Sequence, residues 1–568
     1  MNEQKKKLLM DLWPVAHGHG GIPHECRLIF DLFTDINSVD MTGYLNWPQS
    51  KMLRADVIAP KRPVDERVYL QSQFVFRTTA PRKGKVKDLL EQEGIEPGFI
   101  RYIRIFNRLR RTYQGFGMKL MPFDSDLFAD FVWSEVFSTS LDADRRTKLV
   151  NRPYVFSNTS RAVAHVLAMN TGFHQAIDTR GFDFYFTFAN YSWRLPRSTM
   201  PVLRYYDSIP LTHPHFFQDQ VPVDAHYKTS KYNAEDGRTV FVCDSNPVRA
   251  ELIRLYPQLE QRSLTIPCFV HTGRSTEPSS LTVEEIVRSR ISFRAGRYEP
   301  DFKDEDDDDG DEKRKANKVE ERIGSKIDQL LIRETETKKK KVERDVLDEL
   351  DRNEDDEADD RDAKKKKRVT KKAAKRDVVP SIGRYLIAVS TLEPRKNYGR
   401  LAQAWRIVKA RLPQDETRLV VVANLGWKVT EAVQTMIPLI ARGHIIHLEK
   451  CETRELHRLY RDSIGVVAPS VVEGYDYSGV EGMYHGRPVL ASDIPVHRSI
   501  YETVPIYFDP YDVEDLAQKL ERLVLMSDGE RIELGQRGQR FSERYHRDAL
   551  KAQWSQFTDE LVAGKWHK

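Results

Sequence analysis

Cysteine is scarce in this chain of 568 residues, which has only four, all widely separated. Because no two of them form a C-x-x-C pair, the sequence argues against a structural zinc site and favours a reducing compartment. Long apolar runs are also missing: no window approaches the roughly 18 apolar residues of a membrane-spanning helix, and the lysine-rich start is not followed by a signal-peptide core. The formal net charge is only +5, so total charge gives no reason to expect a nucleic-acid partner. We therefore expect a cytoplasmic protein with two or three domains.

Two glutamates, Glu473 and Glu481, are separated by seven residues in the stretch around which the chain is organised. The apolar run Gly465 to Ala468 predicts the end of a buried strand, Gly474 to Ser478 a turn, and Gly479 to His485 a short helix. A strand, a turn and a helix N-terminus together form an anion site, because the first N–H groups of the helix have no partner within it. Carboxylates beside such a site would repel phosphate, so hydroxyl groups, and those of sugars in particular, are their expected partners.

This stretch resembles the E-x7-E signature of retaining glycosyltransferases of family 4. The matching residues are Pro469, Ser470, Glu473, Gly474, Glu481, Gly482, Met483, Gly486, Pro488 and Val489. Asp476 departs from the pattern, since the family usually has its second glycine there. The resemblance implies that Glu473 contacts the donor sugar and takes part in catalysis, while Glu481 holds the ribose hydroxyls. It places Asp476, Tyr477, Ser478 and Gly479 at the donor as well.

A second motif follows the apolar strand predicted over Tyr385 to Ser390. The segment TLEPRKN resembles the family's G-x-L-E-P-R-K-N element and carries Arg395 and Lys396. Two adjacent cations at the C-terminal end of a strand can neutralise a diphosphate leaving group as its charge grows, so both are candidate catalytic residues. A solvated Arg-Lys pair is the alternative. Further along, Gly426 and Trp427 lie in NLGWK, which is similar to the family's G-x-x-G-W and is assigned to donor binding.

The amino-terminal part begins with a strand candidate, Lys7 to Val15, followed by the glycine-rich segment HGHGGIP and a helical pattern. Strand, glycine loop and helix form the first unit of a doubly wound sheet. By the resemblance, Gly20 and Gly21 correspond to a segment at the interdomain cleft that contacts the donor. A bare turn without ligand contact is the alternative.

The segment YDSIPL follows a strand candidate at Val202 to Tyr206 and resembles the family's H-D-L-I-P-L turn. Tyr206 stands where the family has a histidine that is usually assigned to holding the donor sugar. Tyr206, Asp207 and His213 are therefore all candidates for that role, and Asp207 is placed among the catalytic residues.

Strands that alternate with helices predict parallel sheets, and the resemblance implies the α/β class with the GT-B architecture, two Rossmann-like domains facing across a cleft. We expect an acceptor domain over residues 1–275, a linker with a charged insertion over 276–380, a nucleotide-sugar domain over 381–545, and a final helix over 546–568 that crosses back to the first domain. From Val39 to Pro153 the sequence pattern is irregular.

Two charged regions lie outside the motifs. Residues 301–378 alternate acidic and basic blocks, which cannot bury a core, and predict either a tolerated surface insertion or a docking arm for a protein partner or a membrane. Gly98 to Tyr113 predicts an amphipathic helix whose arginine face could meet an anionic membrane or a lipid-linked acceptor, although an ordinary surface helix would show the same pattern. The four arginines are Arg101, Arg104, Arg108 and Arg111.

The predicted reaction is transfer of a sugar, with retention, from a nucleotide diphosphate sugar to a hydroxyl of a glycan or lipid-linked glycan in surface polysaccharide synthesis. The closest subgroup by pattern looks like bacterial mannosyltransferases, so GDP-mannose is the first choice of donor and a uridine diphosphate sugar the second. No metal or cofactor is expected, and the enzyme would work in the cytoplasm or at the inner face of the cell membrane. A catalytically inactive sugar-nucleotide-binding protein and a scaffold are the alternatives.

Overall fold

The computed structural model describes residues 5–17, 20–46, 63–79, 117–157, 161–270, 278–292 and 382–566. These residues form two domains, each built around a mainly parallel sheet. The strands are β1 (Lys6–Asp11), β2 (Val39–Leu45), β3 (Gly117–Phe123), β4 (Tyr154–Ser157), β5 (Ala176–Asp178), β6 (Phe184–Thr187), β7 (Met200–Tyr205), β8 (Val240–Cys243), β9 (Ser263–Thr265), β10 (Tyr385–Val389), β11 (Arg418–Val422), β12 (Ile445–Leu448), β13 (Gly465–Ala468), β14 (Val489–Ser492) and β15 (Ile506–Phe508).

Helices connect these strands and cover both sheets. They are α1 (Gly21–Phe33), α2 (Val64–Thr79), α3 (Ala129–Phe131), α4 (Arg146–Val150), α5 (Arg161–Thr171), α6 (Ile209–Thr212), α7 (Val221–Glu235), α8 (Asn246–Leu255), α9 (Val283–Arg290), α10 (Tyr398–Arg411), α11 (Thr430–Ala441), α12 (Thr453–Asp462), α13 (Tyr477–Tyr484), α14 (Pro495–Tyr501), α15 (Val513–Leu525), α16 (Asp528–Ser542) and α17 (Arg547–Val562). None of the helices in these ranges has both the length and the apolar character needed to cross a membrane.

The first sheet has the strand order β5-β3-β4-β2-β1-β6-β7-β8-β9. β3 runs antiparallel to β4, whereas the other pairings between these strands are parallel. The central strand β1 is apolar over Leu8, Leu9 and Met10, which are fully buried, as expected for a strand covered on both faces.

The second sheet has the order β12-β11-β10-β13-β14-β15, and all of these strands are parallel. This is the strand order of the Rossmann fold, in which the chain reverses direction across the sheet between its first and fourth strands. Here this reversal, which we call the switch point of the sheet, lies between β10 and β13. The predicted α/β class with two parallel-sheet domains, the GT-B arrangement, is confirmed.

Within the stretch from Val39 to Pro153, the described residues 39–46, 63–79 and 117–153 are more regular than the sequence pattern indicates. β2 pairs in register with β1 although it contains Asp40 and Gly43, residue types that are rare in strands. Gly43 is required there, because a Cβ atom would lie 2.5 Å from the Tyr154 ring.

Several predicted boundaries differ from the observed ones. The first strand ends at Asp11, and a 3-10 helix containing Pro14 follows where the prediction continued to Val15. The helix predicted from Gly479 to His485 spans Tyr477–Tyr484 instead, because the Asp476 side chain accepts from the Ser478 amide and caps the helix two residues earlier.

The final helix, α17, packs in the core of the first domain although it follows the second domain in the chain. Its apolar face buries Leu550, Trp554, Phe557 and Leu561 in that core. The Trp554 ring centroid lies 5.6 Å from that of Phe33 and 5.8 Å from that of Phe186. At the start of the helix, Arg547 forms ion pairs with Asp31 of α1 and with Asp35, which follows that helix. The helix α9, in contrast, buries Val283, Ile286 and Val287 in a core of the second domain.

Candidate active site

The switch point of the second sheet brings together the two motifs that carry the predicted catalytic residues. Arg395 and Lys396 follow β10, and Glu473 follows β13. Arg395 Nη1 donates to Glu473 Oε2 at 2.5 Å, and Lys396 Nζ donates to the other carboxylate oxygen, Oε1. Ser470 Oγ also donates to Oε1, at 2.6 Å. The carboxylate is therefore held on both oxygens, with only 2% of its side chain exposed.

Glu473 is ionised in this arrangement. Burial alone would raise the pKa of a carboxyl group, but Arg395 and Lys396 outweigh it and hold the pKa of Glu473 below its ordinary value. Arg395 keeps 22% of its side chain exposed, more than Lys396 or Glu473. Its Nε donates to Glu393 at 2.9 Å, which fixes the plane of the group.

Glu481 lies on α13, and its side chain is half-buried. Burial raises the pKa of Glu481 to about 7, the Tyr460 hydroxyl counteracts this shift, and the nearby negative charge of Asp476 adds to it. A carboxyl group with this pKa changes its protonation near neutral pH, which makes its ability to accept hydrogen bonds pH-dependent.

Asp476, the departure from the family pattern, is the N-cap of α13. Its Oδ1 accepts from the Ser478 amide at 2.9 Å and from the Ser478 hydroxyl at 2.7 Å. One of the amides predicted to face the diphosphate is thus already bonded within the chain. Gly479 is needed in the same turn, because a Cβ atom would lie 2.3 Å from the Tyr501 hydroxyl.

The loop between the two glutamates is in close contact with the first domain. A Cβ atom at Gly474 would lie 2.0 Å from the carbonyl oxygen of Tyr206. Ser245 Oγ donates to the Gly474 carbonyl at 2.9 Å, and the Tyr475 hydroxyl donates to the Cys268 carbonyl at 2.9 Å. The described structure is therefore one in which the two domains meet at this loop.

The glycine-rich segment of the first domain reaches the same place. Gly20 is the N-cap of α1, and Gly21 opens that helix. A Cβ atom at Gly21 would lie 3.5 Å from the Tyr477 ring, so the backbone of α1 faces the first turn of α13. The structure thus brings Gly20 and Gly21 to the predicted donor side of the cleft.

The three candidates for the role of the family histidine lie in different surroundings. Asp207 Oδ1 accepts from the Ile209 amide at 3.0 Å, and its charge contributes to the raised pKa of Arg395. The Tyr206 hydroxyl is directed into the first domain, where burial and then Glu25 raise its pKa well above the ordinary value. His213 stacks on Phe216 with ring centroids 5.9 Å apart. Of the three, the structure places Asp207 near the Arg395 cluster.

Trp427 bridges the two domains. Its Nε1 donates to the Phe216 carbonyl at 2.7 Å, and its ring stacks on Phe217 with centroids 6.0 Å apart. Gly426 packs against the loop that follows β10. A Cβ atom at Gly426 would lie 2.4 Å from the Leu392 carbonyl oxygen. The indole N–H of Trp427, which was predicted to bind the donor, is therefore hydrogen-bonded across the cleft.

Sequence reasoning missed several residues that shape the site, above all His497, Ser492 and the pair Phe216 and Phe217. One signal was available: an aspartate in a position usually held by glycine needs partners, and His497 follows 21 residues later. Arg101, Arg104, Arg108 and Arg111, and the insertion at 301–378, lie outside the described residues, so their roles stay predictions.

Comparison with known proteins matches the second domain to a family described as glycosyl transferases group 1, over residues 383–525. The O-antigen chain mannosyltransferase RfbU of Salmonella typhimurium is 24% identical over 144 residues, which are 25% of this chain and 39% of that protein. O-antigen chain mannosyltransferase B of Escherichia coli is 29% identical over 137 residues, 23% of this chain and 35% of that protein. The match thus spans well under half of these relatives.

Among solved structures, a sucrose-phosphate synthase of Thermosynechococcus elongatus aligns over 99% of this chain and 100% of its own, with 11% identity and a TM-score of 0.48. The narrower assignment to family 4 stays a prediction. Residues 383–525 match the family described as glycosyl transferases group 1, and about a quarter of the chain is similar to proteins named O-antigen chain mannosyltransferases.

Proposed function

We propose that the chain is a retaining glycosyltransferase that moves a sugar from a nucleotide diphosphate sugar to a hydroxyl of a glycan or lipid-linked glycan acceptor. The observation that carries the proposal is the cluster at the switch point, where the ionised Glu473 is held between Arg395 and Lys396. Glu481 lies one helix turn beyond Asp476 and Ser478 on the same loop-helix unit. The loop also contacts the first domain, so a donor in the cleft would touch both domains.

In this proposal the two cations stabilise the diphosphate as negative charge develops on the leaving oxygen. Their present partner, Glu473, keeps them in place and is itself oriented by Ser470. When a donor occupies the cleft, the exposed part of Arg395 faces the diphosphate, and Glu473 remains ionised beside the sugar, where positive charge develops at the anomeric carbon. No metal or cofactor is assigned a role in this proposal.

We propose GDP-mannose as the first donor, because the similar curated proteins are named mannosyltransferases. A thermal-shift scan of nucleotide sugars with the full-length protein, followed by donor hydrolysis assays, tests this choice. GDP-mannose should give the largest rise in melting temperature and measurable hydrolysis. A larger shift with a uridine diphosphate sugar would change the donor. Binding without hydrolysis or transfer would favour the inactive sugar-nucleotide-binding protein, and absence of binding would favour the scaffold.

Glu481 provides a pH-dependent test of the ribose contact. Below its pKa of about 7 the carboxyl group carries a proton and loses an acceptor for a hydroxyl, so donor affinity should weaken as the pH falls, by up to about tenfold per pH unit below 7. Calorimetric titrations of the donor at about pH 6, 7 and 8 measure this. Glu481→Gln should bind more weakly at about pH 8 and show a flat profile. A pH-independent affinity in the unmodified protein would contradict the assignment.

For the acceptor, we propose a surface glycan that is either free or lipid-linked. We propose that an arginine-rich segment contacts the anionic inner face of the cell membrane through Arg101, Arg104, Arg108 and Arg111. We also propose that residues 301–378 contact a protein partner. These proposals rest on the sequence pattern alone.

A further inference from the structure

The carboxylate of Asp476 and the imidazole of His497 face each other in the interior of the second domain. Asp476 is 7% exposed and His497 is fully buried. The Oδ1 atom of Asp476 is used by the Ser478 amide and hydroxyl. Its Oδ2 atom lies 3.3 Å from Nε2 of His497. The two oxygens thus have separate partners, one on α13 and one on α14.

Both ring nitrogens of His497 face oxygen atoms. Nδ1 lies 2.9 Å from the carbonyl oxygen of Ser492 and 3.0 Å from its hydroxyl oxygen. Nε2 faces the carboxylate of Asp476, which can only accept. The ring is therefore placed between Ser492 and Asp476, where it can hold the Asp476 side chain from α14.

Further contacts hold this pair in place and connect it to Glu473. The ring of His497 stacks on Tyr501, whose hydroxyl donates to the Asp476 carbonyl at 3.1 Å. On the other side, the Ser492 hydroxyl donates to the Ser470 carbonyl, and the Ser470 hydroxyl donates to Glu473. A series of buried polar contacts through Ser470, Ser492, His497 and Asp476 therefore connects Glu473 at one end of the loop to Ser478 at the other.

Charge explains why such a pair is needed. Asp476 lies at the first turn of the helix whose amides would face the donor diphosphate, and an uncompensated carboxylate there would repel it. The family pattern avoids this charge with a glycine. In this chain the aspartate is present, and burial would raise its pKa, but the contact with His497 outweighs burial and holds the pKa of Asp476 low.

We propose that His497 is a positioning residue for the donor site: by pairing with Asp476 it fixes the loop 473–478 and the first turn of α13 for binding the diphosphate. The inference rests on the proposed function for its ligand, a nucleoside diphosphate sugar. It assigns no contact between His497 and the substrate, since the ring is fully buried. It predicts that the damage caused by losing the imidazole comes from the unpaired carboxylate.

The test uses three variants of the full chain: His497→Gln, Asp476→Asn and the double variant. His497→Gln should raise the dissociation constant for GDP-mannose by about tenfold, comparable to one lost hydrogen bond to a charged group. Adding Asp476→Asn should restore most of that affinity, because the carboxylate charge is then gone as well. His444→Gln, at the amino-terminal end of β12 and thus at the opposite edge of the sheet, is the matched control and should bind like the unmodified protein.

Amide hydrogen exchange at residues 478–480 gives a second readout that needs no ligand. His497→Gln should speed exchange there, and the double variant should slow it again. Unchanged affinity and exchange in His497→Gln, or no recovery in the double variant, would overturn the inference. Should His497→Gln fail to fold, recovery of a folded protein in the double variant supports the inference, and its absence overturns it. If the unmodified protein binds no nucleotide sugar, the proposed function fails, whereas the exchange measurements still decide whether the pair positions the loop.

Discussion

Alanine in place of Arg395 or Lys396 is expected to lower turnover by about 10²- to 10³-fold, while the affinity for the donor sugar nucleotide changes far less. The reason is that each cation acts most strongly on charge that exists only as the glycosidic bond breaks. Each also neutralises the buried Glu473, so its loss raises the pKa of that carboxyl and weakens its electrostatic role. Steady-state hydrolysis of the donor gives turnover, and calorimetry gives affinity.

Arg406→Ala is the matched control for these variants. Arg406 is an exposed arginine on α10, the helix that follows the motif, and its removal should leave turnover and affinity unchanged. Melting temperatures of all variants separate loss of chemistry from loss of folding. Near-normal turnover in both the Arg395 and the Lys396 variants would show that the diphosphate binds elsewhere.

Gly474→Ala is expected to reduce turnover by about 10²-fold or more, although it changes no charged or polar side chain. The new methyl group would lie 2.0 Å from the Tyr206 carbonyl oxygen, so the loop and the first domain must separate. A displacement of about 1 Å at a reacting centre is enough for a loss of this size. Donor hydrolysis measures the effect, and small-angle X-ray scattering measures the expected widening of the cleft.

Gly529→Ala provides the comparison, because a Cβ atom there meets no heavy atom within 4 Å. This variant should keep full turnover and an unchanged scattering curve. Full activity in Gly474→Ala would mean that the contact between Gly474 and Tyr206 does not belong to the catalytic state.

The second sheet was largely predictable from the sequence. β13 was predicted with the same bounds as observed, because it is a short apolar run followed by turn-forming residues. β2 was not predicted, since Asp40, Thr42 and Gly43 interrupt its apolar pattern. Its position is set by pairing with β1 and by the space beside Tyr154, which are long-range contacts that a local pattern does not contain.

The candidate site was also predictable only in part. The motifs identified Glu473, Arg395 and Lys396, but not that the three side chains bond directly, because Arg395 and Glu473 are 78 residues apart in the chain. Asp476 was recognised as a departure, and only the structure shows His497 as its partner. The residue types and spacings within each motif indicate the chemistry of the site. Which distant loops come into contact is decided by the order of the strands in the sheet.

The packing of α17 has a consequence for how the protein is made. The ribosome synthesises the first sheet early, yet Phe33 and Phe186 are covered by Trp554, which is translated after the whole second domain. Until then the nascent first domain exposes this aromatic surface, and it completes its core only after the second domain has emerged. Folding during translation therefore ends at the domain that was begun first.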